Sequence, residues 1–195
     1  MPVQTQYARN KDVTIAYETF GDLAAGEPLL LITGLDFQMV WWPDGLCELL
    51  AGRGFAVVRF DNRDSGLSTK FGSARKENPF LALLGRTTPS YSTLDMLDDA
   101  IAVMDAVGWK SAHVLGASMG AALAQVLALY HPDRVRTMTC AAGIPADVSG
   151  LGAMRYIKFG VFGRLRKIKL GGPRRSRRSP ESASRRWCSA ASTIR

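Results

Sequence analysis

The sequence has few cysteines, no long apolar run and almost no acid towards its C-terminal end. Cys47, Cys140 and Cys188 are its three cysteines, an odd set without C-x-x-C spacing. They leave no basis for a disulfide framework or a metal site, so a reducing cytoplasm is the expected compartment. The opening residues, MPVQTQYARNKDV, have no apolar stretch after a positive start, and no secretory signal is read there. The longest uncharged run, Val114–Tyr130, is shorter than a bilayer span and contains Gly116, Ser118, Gly120 and Gln125. It reads as a buried strand and helix, and no membrane segment is expected.

What is present fits a globular core. The 195 residues are 47% hydrophobic and 22% charged, enough for one ordinary domain or somewhat less than one large α/β domain. The formal charge of +8 is unevenly placed. Residues 1–163 hold 14 Lys/Arg against 16 Asp/Glu, whereas residues 164–195 hold 11 Lys/Arg against Glu181 alone. The body is mildly acidic and the basic character lies in the tail.

Along the chain, Gln4–Ala8 and Val13–Phe20 read as strands joined by the polar cluster Arg9–Asp12. Leu29–Thr33 is a continuous apolar run, expected to be a strand buried on both faces. Asp44–Ala51 reads as a helix behind Pro43, and Ala56–Phe60 as a strand ending in the polar stretch DNRDSGLST. Residues 71–90 read as irregular. Ser92 and Asp95 form a Ser-x-x-Asp start for a helix whose apolar positions run from Leu94 to Val107 and end at Gly108. Ala112–Leu115 is then a strand, Ser118–Tyr130 a helix and Val135–Ala141 a strand. The order β-β-β-α-β-α-β-α-β predicts an α/β fold, with a mostly parallel sheet and helices on both faces.

Gly116-Ala117-Ser118-Met119-Gly120 is a G-x-S-x-G motif entered by an apolar strand and left by an Ala- and Leu-rich helix. That context suits a nucleophile elbow, in which a tight strand-to-helix turn exposes a strained serine and glycines give the turn room. The plainer reading is a small-residue turn that lets strand and helix pack closely.

Two stretches resemble the α/β-hydrolase superfamily: LLLITGLDFQMVWWPDGLCELLAGRGFAVVRFDNRDSGLST and YSTLDMLDDAIAVMDAVGWKSAHVLGASMGAALAQVLALYHPDRV. The likeness is nearest to bacterial carboxylesterases of the aclacinomycin methylesterase type, with proline iminopeptidases and cofactor-free haloperoxidases further off. It implies a serine hydrolase without cofactor or metal, acting on a small-molecule ester. Ser118 matches the nucleophile, and the backbone N–H groups of Met119 and Leu35 match the two oxyanion donors. Leu35 follows Thr33-Gly34, where many relatives carry His-Gly.

The same likeness places an acid and then a histidine after the serine, and neither is found. His131 ends the nucleophile helix, roughly 20 Å along the helix axis from Ser118, and His113 lies roughly 16 Å back along the strand. Asp133, Asp147 and Glu181 follow no recognisable later strand. The expected organisation is therefore the N-terminal part of a hydrolase core over 1–150, the start of a cap over 151–170 and an Arg/Ser-rich, disordered tail over 171–195. A switch to Arg, Ser, Pro, Gly and Ala is what a G+C-rich gene yields out of frame. The expectation is a C-terminally truncated or frameshifted family member, without activity of its own.

Within Asp61–Gly66, the Asp and Arg are expected to brace neighbouring loops, with a catalytic role as the alternative. Phe37, Trp41 and Trp42 either line an apolar pocket or fill the core. Rival functions are a non-catalytic remnant and a nucleic-acid binder using Arg174-Arg175-Ser176-Arg177-Arg178. The latter has no recognisable binding fold behind it, so no specific nucleic-acid partner is expected.

Overall fold

The computed structural model describes residues 3–71, 91–143 and 145. Nearly all of the irregular 71–90 stretch, the cap start over 151–170 and the tail over 171–195 lie outside the described residues. Among the described residues six strands form one sheet: β1 (Gln6–Asn10), β2 (Val13–Phe20), β3 (Glu27–Ile32), β4 (Phe55–Phe60), β5 (Ala112–Ala117) and β6 (Val135–Ala141). Their order is β1-β2-β4-β3-β5-β6. β1 and β2 run antiparallel to their neighbours, whereas β4, β3, β5 and β6 are mutually parallel. Among the described residues three α-helices connect them: α1 (Asp44–Ala51), α2 (Thr93–Ala106) and α3 (Met119–Tyr130).

The sheet is covered on both faces, and the alternation of side chains in β3 shows how. Leu30 and Ile32 join Ile15, Val58 and Phe60 beneath α2 and α3, which contribute Leu97, Val103, Leu123 and Leu127. Leu29 and Leu31 point the other way, to Phe20, Val57 and Cys47, with Leu50, Ala51 and Trp42 packed against them. A strand buried on both faces must be apolar at every position, which is why Leu29–Ile32 shows no polar alternation.

Local signals set the ends of the elements. Ser92 Oγ accepts from the N–H of Asp95 at 3.2 Å while the Asp95 carboxylate accepts from the N–H of Ser92 at 2.7 Å, a reciprocal cap for α2. Four strands differ from the sequence expectation because pairing overrides local composition, β4 by one residue at Phe55. β1 continues to Asn10, closing a two-residue turn in which Lys11 has φ 54° and Asn10 pairs with Val13. β3 begins at Glu27, which pairs with Phe55. β5 runs on to Ala117 because Gly116 and Ala117 pair with Cys140 and Ala141. Among the described residues β6 pairs with β5 alone, and it is exposed from Arg136 to Ala141.

Candidate active site

Ser118 occupies the one-residue junction between β5 and α3, with φ 54° and ψ −116°. That backbone lies in the left-handed region that side chains disfavour. Main-chain bonds hold it there: the Ser118 N–H donates to the Ala141 carbonyl at 2.9 Å, and its carbonyl accepts from Ala121 at 3.0 Å. The serine side chain caps nothing in the helix.

The glycines on either side are required by close approach. A Cβ on Gly116 would lie 2.1 Å from the Gly120 carbonyl oxygen, and one on Gly120 would lie 2.3 Å from that of Ile32. Glycine therefore lets the first turn of α3 press against β5 and the end of β3. This brings the loop after β3 beside the serine, for a Cβ on Gly34 would stand 3.2 Å from Ser118 Cβ.

Of the two expected oxyanion donors, Met119 directly follows Ser118, and Leu35 follows Gly34, the glycine beside Ser118. Met119 is the first residue of α3, where an N–H has no partner within the helix. Leu35 follows Gly34, and neither its N–H nor that of Met119 donates to a protein acceptor among the described residues. The positive end of the α3 dipole adds to the attraction for negative charge beside Ser118.

The loop carrying Leu35 is pinned by the polar stretch after β4. Asn62 donates to the Thr33 carbonyl at 3.3 Å and to the Thr33 hydroxyl at 3.2 Å. Ser65 Oγ donates to the Phe37 carbonyl at 2.8 Å. The Asp61 carboxylate accepts from the N–H groups of Met39 at 2.6 Å and Leu67 at 2.8 Å. Thr33, Asp61 and Asn62 are buried, so these bonds form away from water, where leaving them unmade costs most.

Arg63 faces away from this network. It donates through Nε and Nη2 to the two oxygens of Asp99, at 2.6 and 2.8 Å, and through Nη2 to the Asp95 carbonyl at 2.9 Å. Phe71 and Tyr91 flank its guanidinium, and Asn10 donates to Asp99 at 2.8 Å. Both Asp61 and Arg63 are thus fully engaged in holding loops to one another and to α2. Burial, followed by the Asp64 charge and hydrogen bond, pushes the nearby Tyr91 hydroxyl up to about 12.

Neither histidine of the chain lies at this site. His113 Nδ1 meets Thr137 Oγ1 at 2.6 Å and Nε2 meets Glu27 Oε1 at 3.2 Å, at the opposite end of β5 from Ser118. His131 closes the far end of α3, with its N–H donating to the Leu127 carbonyl at 2.8 Å. Asp133 lies beside it in a short 3₁₀ turn, while Asp147 and Glu181 are outside the described residues. Among the described residues no group of three or more His, Cys, Asp or Glu side chains could hold a metal ion.

The three aromatic residues separate. Trp42 packs against the core cluster beneath α1. Phe37 and Trp41 instead stack on each other with ring centroids 4.1 Å apart and are 38% and 63% exposed. Sequence reasoning left pocket and core open for all three, because the 3₁₀ turn Met39–Trp41 that sends neighbours to opposite sides has no strong signature. It also passed over Asn62 and Ser65. The available signal was the placement of so many polar residues directly after a buried strand.

The sequence profile described as alpha/beta hydrolase fold matches residues 27–192. Rhodomycin D methylesterase of Streptomyces sp. strain C5 is 36% identical over 144 residues, covering 74% of this chain and 44% of that protein. Epoxide hydrolase B of Mycobacterium tuberculosis is 31% identical over 154 residues, 77% of this chain and 38% of its own length. The chain thus spans less than half the length of these curated relatives. Among solved structures, a hydrolase from Pseudomonas aeruginosa superimposes with a TM-score of 0.58 at 25% identity, over 72% of this chain and 46% of that one. An epoxide hydrolase from Vigna radiata shares the fold, with a TM-score of 0.61 at 20% identity over 87% of this chain and 49% of that one. With sheet order and profile in agreement, the chain belongs to the α/β-hydrolase fold family.

Proposed function

We propose that this chain carries the nucleophile and oxyanion half of a serine hydrolase of small carboxylic esters. Ser118 Oγ adds to the ester carbonyl, and the N–H groups of Met119 and Leu35 receive the oxyanion that forms. The observation that carries the reading is the strained Ser118 backbone at the β5–α3 junction, directly against the loop that presents Leu35. The methylesterase relatives support an ester as substrate. No cofactor or metal enters the chemistry, and the substrate is the only partner the proposal needs.

A serine hydroxyl attacks efficiently only when a base takes its proton, and a base must lie within hydrogen-bonding reach or one water away. His113 and His131 are both engaged elsewhere. We therefore read the 195-residue chain as catalytically silent: the elbow is present, and no acid–histidine pair is at hand to drive it. The cytoplasm is the compartment we assign; among the described residues Cys47 and Cys140 are free thiols. No helix of the described residues is long and apolar enough to cross a membrane.

The test is p-nitrophenyl acetate turnover by the chain and by Ser118→Ala, combined with peptide mass spectrometry of acyl-serine. Equal rates near background are expected, with acetyl accumulating on Ser118 above other serines, because an oxyanion hole alone retains part of its acceleration. Turnover well above background that Ser118→Ala abolishes would overturn the silent reading. Acylation of Ser118 no faster than of exposed serines would overturn its assignment as nucleophile.

A further inference from the structure

We propose that β6 is a docking edge for a second copy of this chain, the two β6 strands pairing antiparallel about a two-fold axis at Thr139. The proposal is independent of any chemistry at Ser118.

The edge is open and lacks the devices that commonly keep strands apart. Among the described residues β6 pairs with β5 alone and is exposed from Arg136 to Ala141. Native edges are blunted by proline, by charge or by a covering element. Residues 135–141 read Val-Arg-Thr-Met-Thr-Cys-Ala, with Arg136 as the single charge and no proline. That charge is engaged within its own chain, for the Arg136 guanidinium pairs with Glu27 and donates to Ser111 Oγ at 3.0 Å. β1, at the other end of the sheet, carries the exposed Arg9 instead.

The register follows from the backbone. In a parallel sheet, successive residues of a strand direct their N–H and C=O groups to opposite sides. The Ala141 carbonyl accepts from Ser118 at 2.9 Å, so Ala141, and with it Thr139 and Thr137, faces β5. Met138 and Cys140 therefore direct their main-chain groups outward. Arg136 falls where the β5–β6 register shifts, between Val135 and Thr137, and Ala142 has left the strand with φ 51°. An axis at Met138 would set Cys140 opposite the irregular Arg136, and an axis at Cys140 would set Met138 opposite Ala142. An axis at Thr139 instead pairs the two regular outward residues with each other.

Met138 and Cys140 of the second copy then exchange both main-chain bonds, and the same happens on the other side of the axis. Thr139 meets its own copy as a non-hydrogen-bonded pair with Cα atoms about 4.5 Å apart, a favourable threonine–threonine contact. Arg136 stands opposite Ala142 of the second copy, so no like charges meet. Met138 aligns with the buried Val114 of β5 and thus points to the face that α3 covers. A two-fold axis normal to the sheet keeps its faces, which brings both exposed Met138 side chains to that one side. The contact uses up both β6 edges, so it closes at a dimer.

The experiment is sedimentation of the full chain over a concentration series, joined to cysteine cross-linking. A monomer–dimer equilibrium is expected. Met138→Lys should raise its midpoint about tenfold, by placing charges on the edge. Circular dichroism should be unchanged, because Met138 is 43% exposed. In a Cys140→Ser, Cys188→Ser background, Thr139→Cys should form an intermolecular disulfide under mild oxidation, since position 139 lies opposite itself. Thr137→Cys, opposite Ala141 of the second copy, should form at most about a tenth as much. A monomer at every concentration would overturn the proposal, whatever segment covers the edge. Equal cross-linking at the two positions would overturn it too, as would a dimer that Met138→Lys leaves unchanged.

Discussion

Replacing Ser118 by glycine is expected to make the protein more stable, although it removes the residue on which the proposed chemistry depends. Ser118 sits at φ 54°, ψ −116°, held by main-chain bonds to Ala141 and Ala121 that any residue at this position would keep. Holding a non-glycine residue in such a region costs on the order of 1–3 kcal/mol. Glycine adopts it freely, but loses more backbone entropy on folding, about 0.5–1 kcal/mol. The hydroxyl makes no capping bond, so its removal subtracts little. The balance is a gain of roughly 0.5–2 kcal/mol for Ser118→Gly. Ser118→Ala keeps Cβ and the strain, and should stay within about 0.5 kcal/mol of the parent. Urea unfolding followed by circular dichroism reads both, provided the slope with denaturant is unchanged. If Ser118→Gly is less stable than Ser118→Ala, the turn stores no strain and the elbow argument loses its physical basis.

Three further outcomes are expected. Asp99→Ala should cost about 3–5 kcal/mol in urea unfolding, because it leaves the buried Arg63 guanidinium, among the described residues, with the Asp95 carbonyl and two aromatic rings as partners. Ser92→Ala should cost about 1 kcal/mol through loss of the α2 cap. Hydrogen bonds from the Ser92 hydroxyl and N–H hold the Asp95 carboxyl below its usual range, so that support exists above the ordinary carboxylate pKa and is lost as pH falls through the lowered one. The gap between parent and Ser92→Ala should therefore narrow in acid. Burial pushes the Cys47 thiol up to about 11, so with Cys188→Ser in place a disulfide reagent should label Cys140 at once and Cys47 only on unfolding. Because the folded value is raised, the neutral Cys47 thiol supports the fold below the ordinary thiol pKa, and that support is lost as pH climbs towards 11.

The parts of the fold and site that were legible are those whose cause is local. Pro43 placed the start of α1 and the Ser92–Asp95 pair that of α2, because each signal lies within a few residues of the helix end it sets. The G-x-S-x-G turn was readable for the same reason: the clash that glycine avoids at Gly116 is with Gly120. Strand ends were less legible. Whether β5 stops at Leu115 or at Ala117 depends on Cys140 and Ala141, which the strand meets only across the sheet. The braces of the Leu35 loop are the extreme case, since Asn62 reaches Thr33 across 29 residues and no spacing rule links the two. The separation of Trp41 from Trp42 had the same character, being decided by which side of a short turn faces the core.

This division between local and distant causes also separates the two halves of the proposed site. Among the described residues, the ground around Ser118 is shaped by the C-terminal ends of β3, β4, β5 and β6 and by the loops after β3 and β4. Each of those loops is held by bonds that serve stability whether or not an ester is ever bound: Asp61 to Met39 and Leu67, Asn62 to Thr33, Ser118 N–H to Ala141. The oxyanion donors proposed here are main-chain groups, so Leu35 and Met119 would be placed by those bonds and by the start of α3, and need no side chain of their own. A proton acceptor is different, because it must be one particular side chain brought to one particular atom. Main-chain geometry can thus keep the electrostatic half of the site intact, while the acid–base half depends wholly on residues that neither His113 nor His131 can replace from the far ends of β5 and α3.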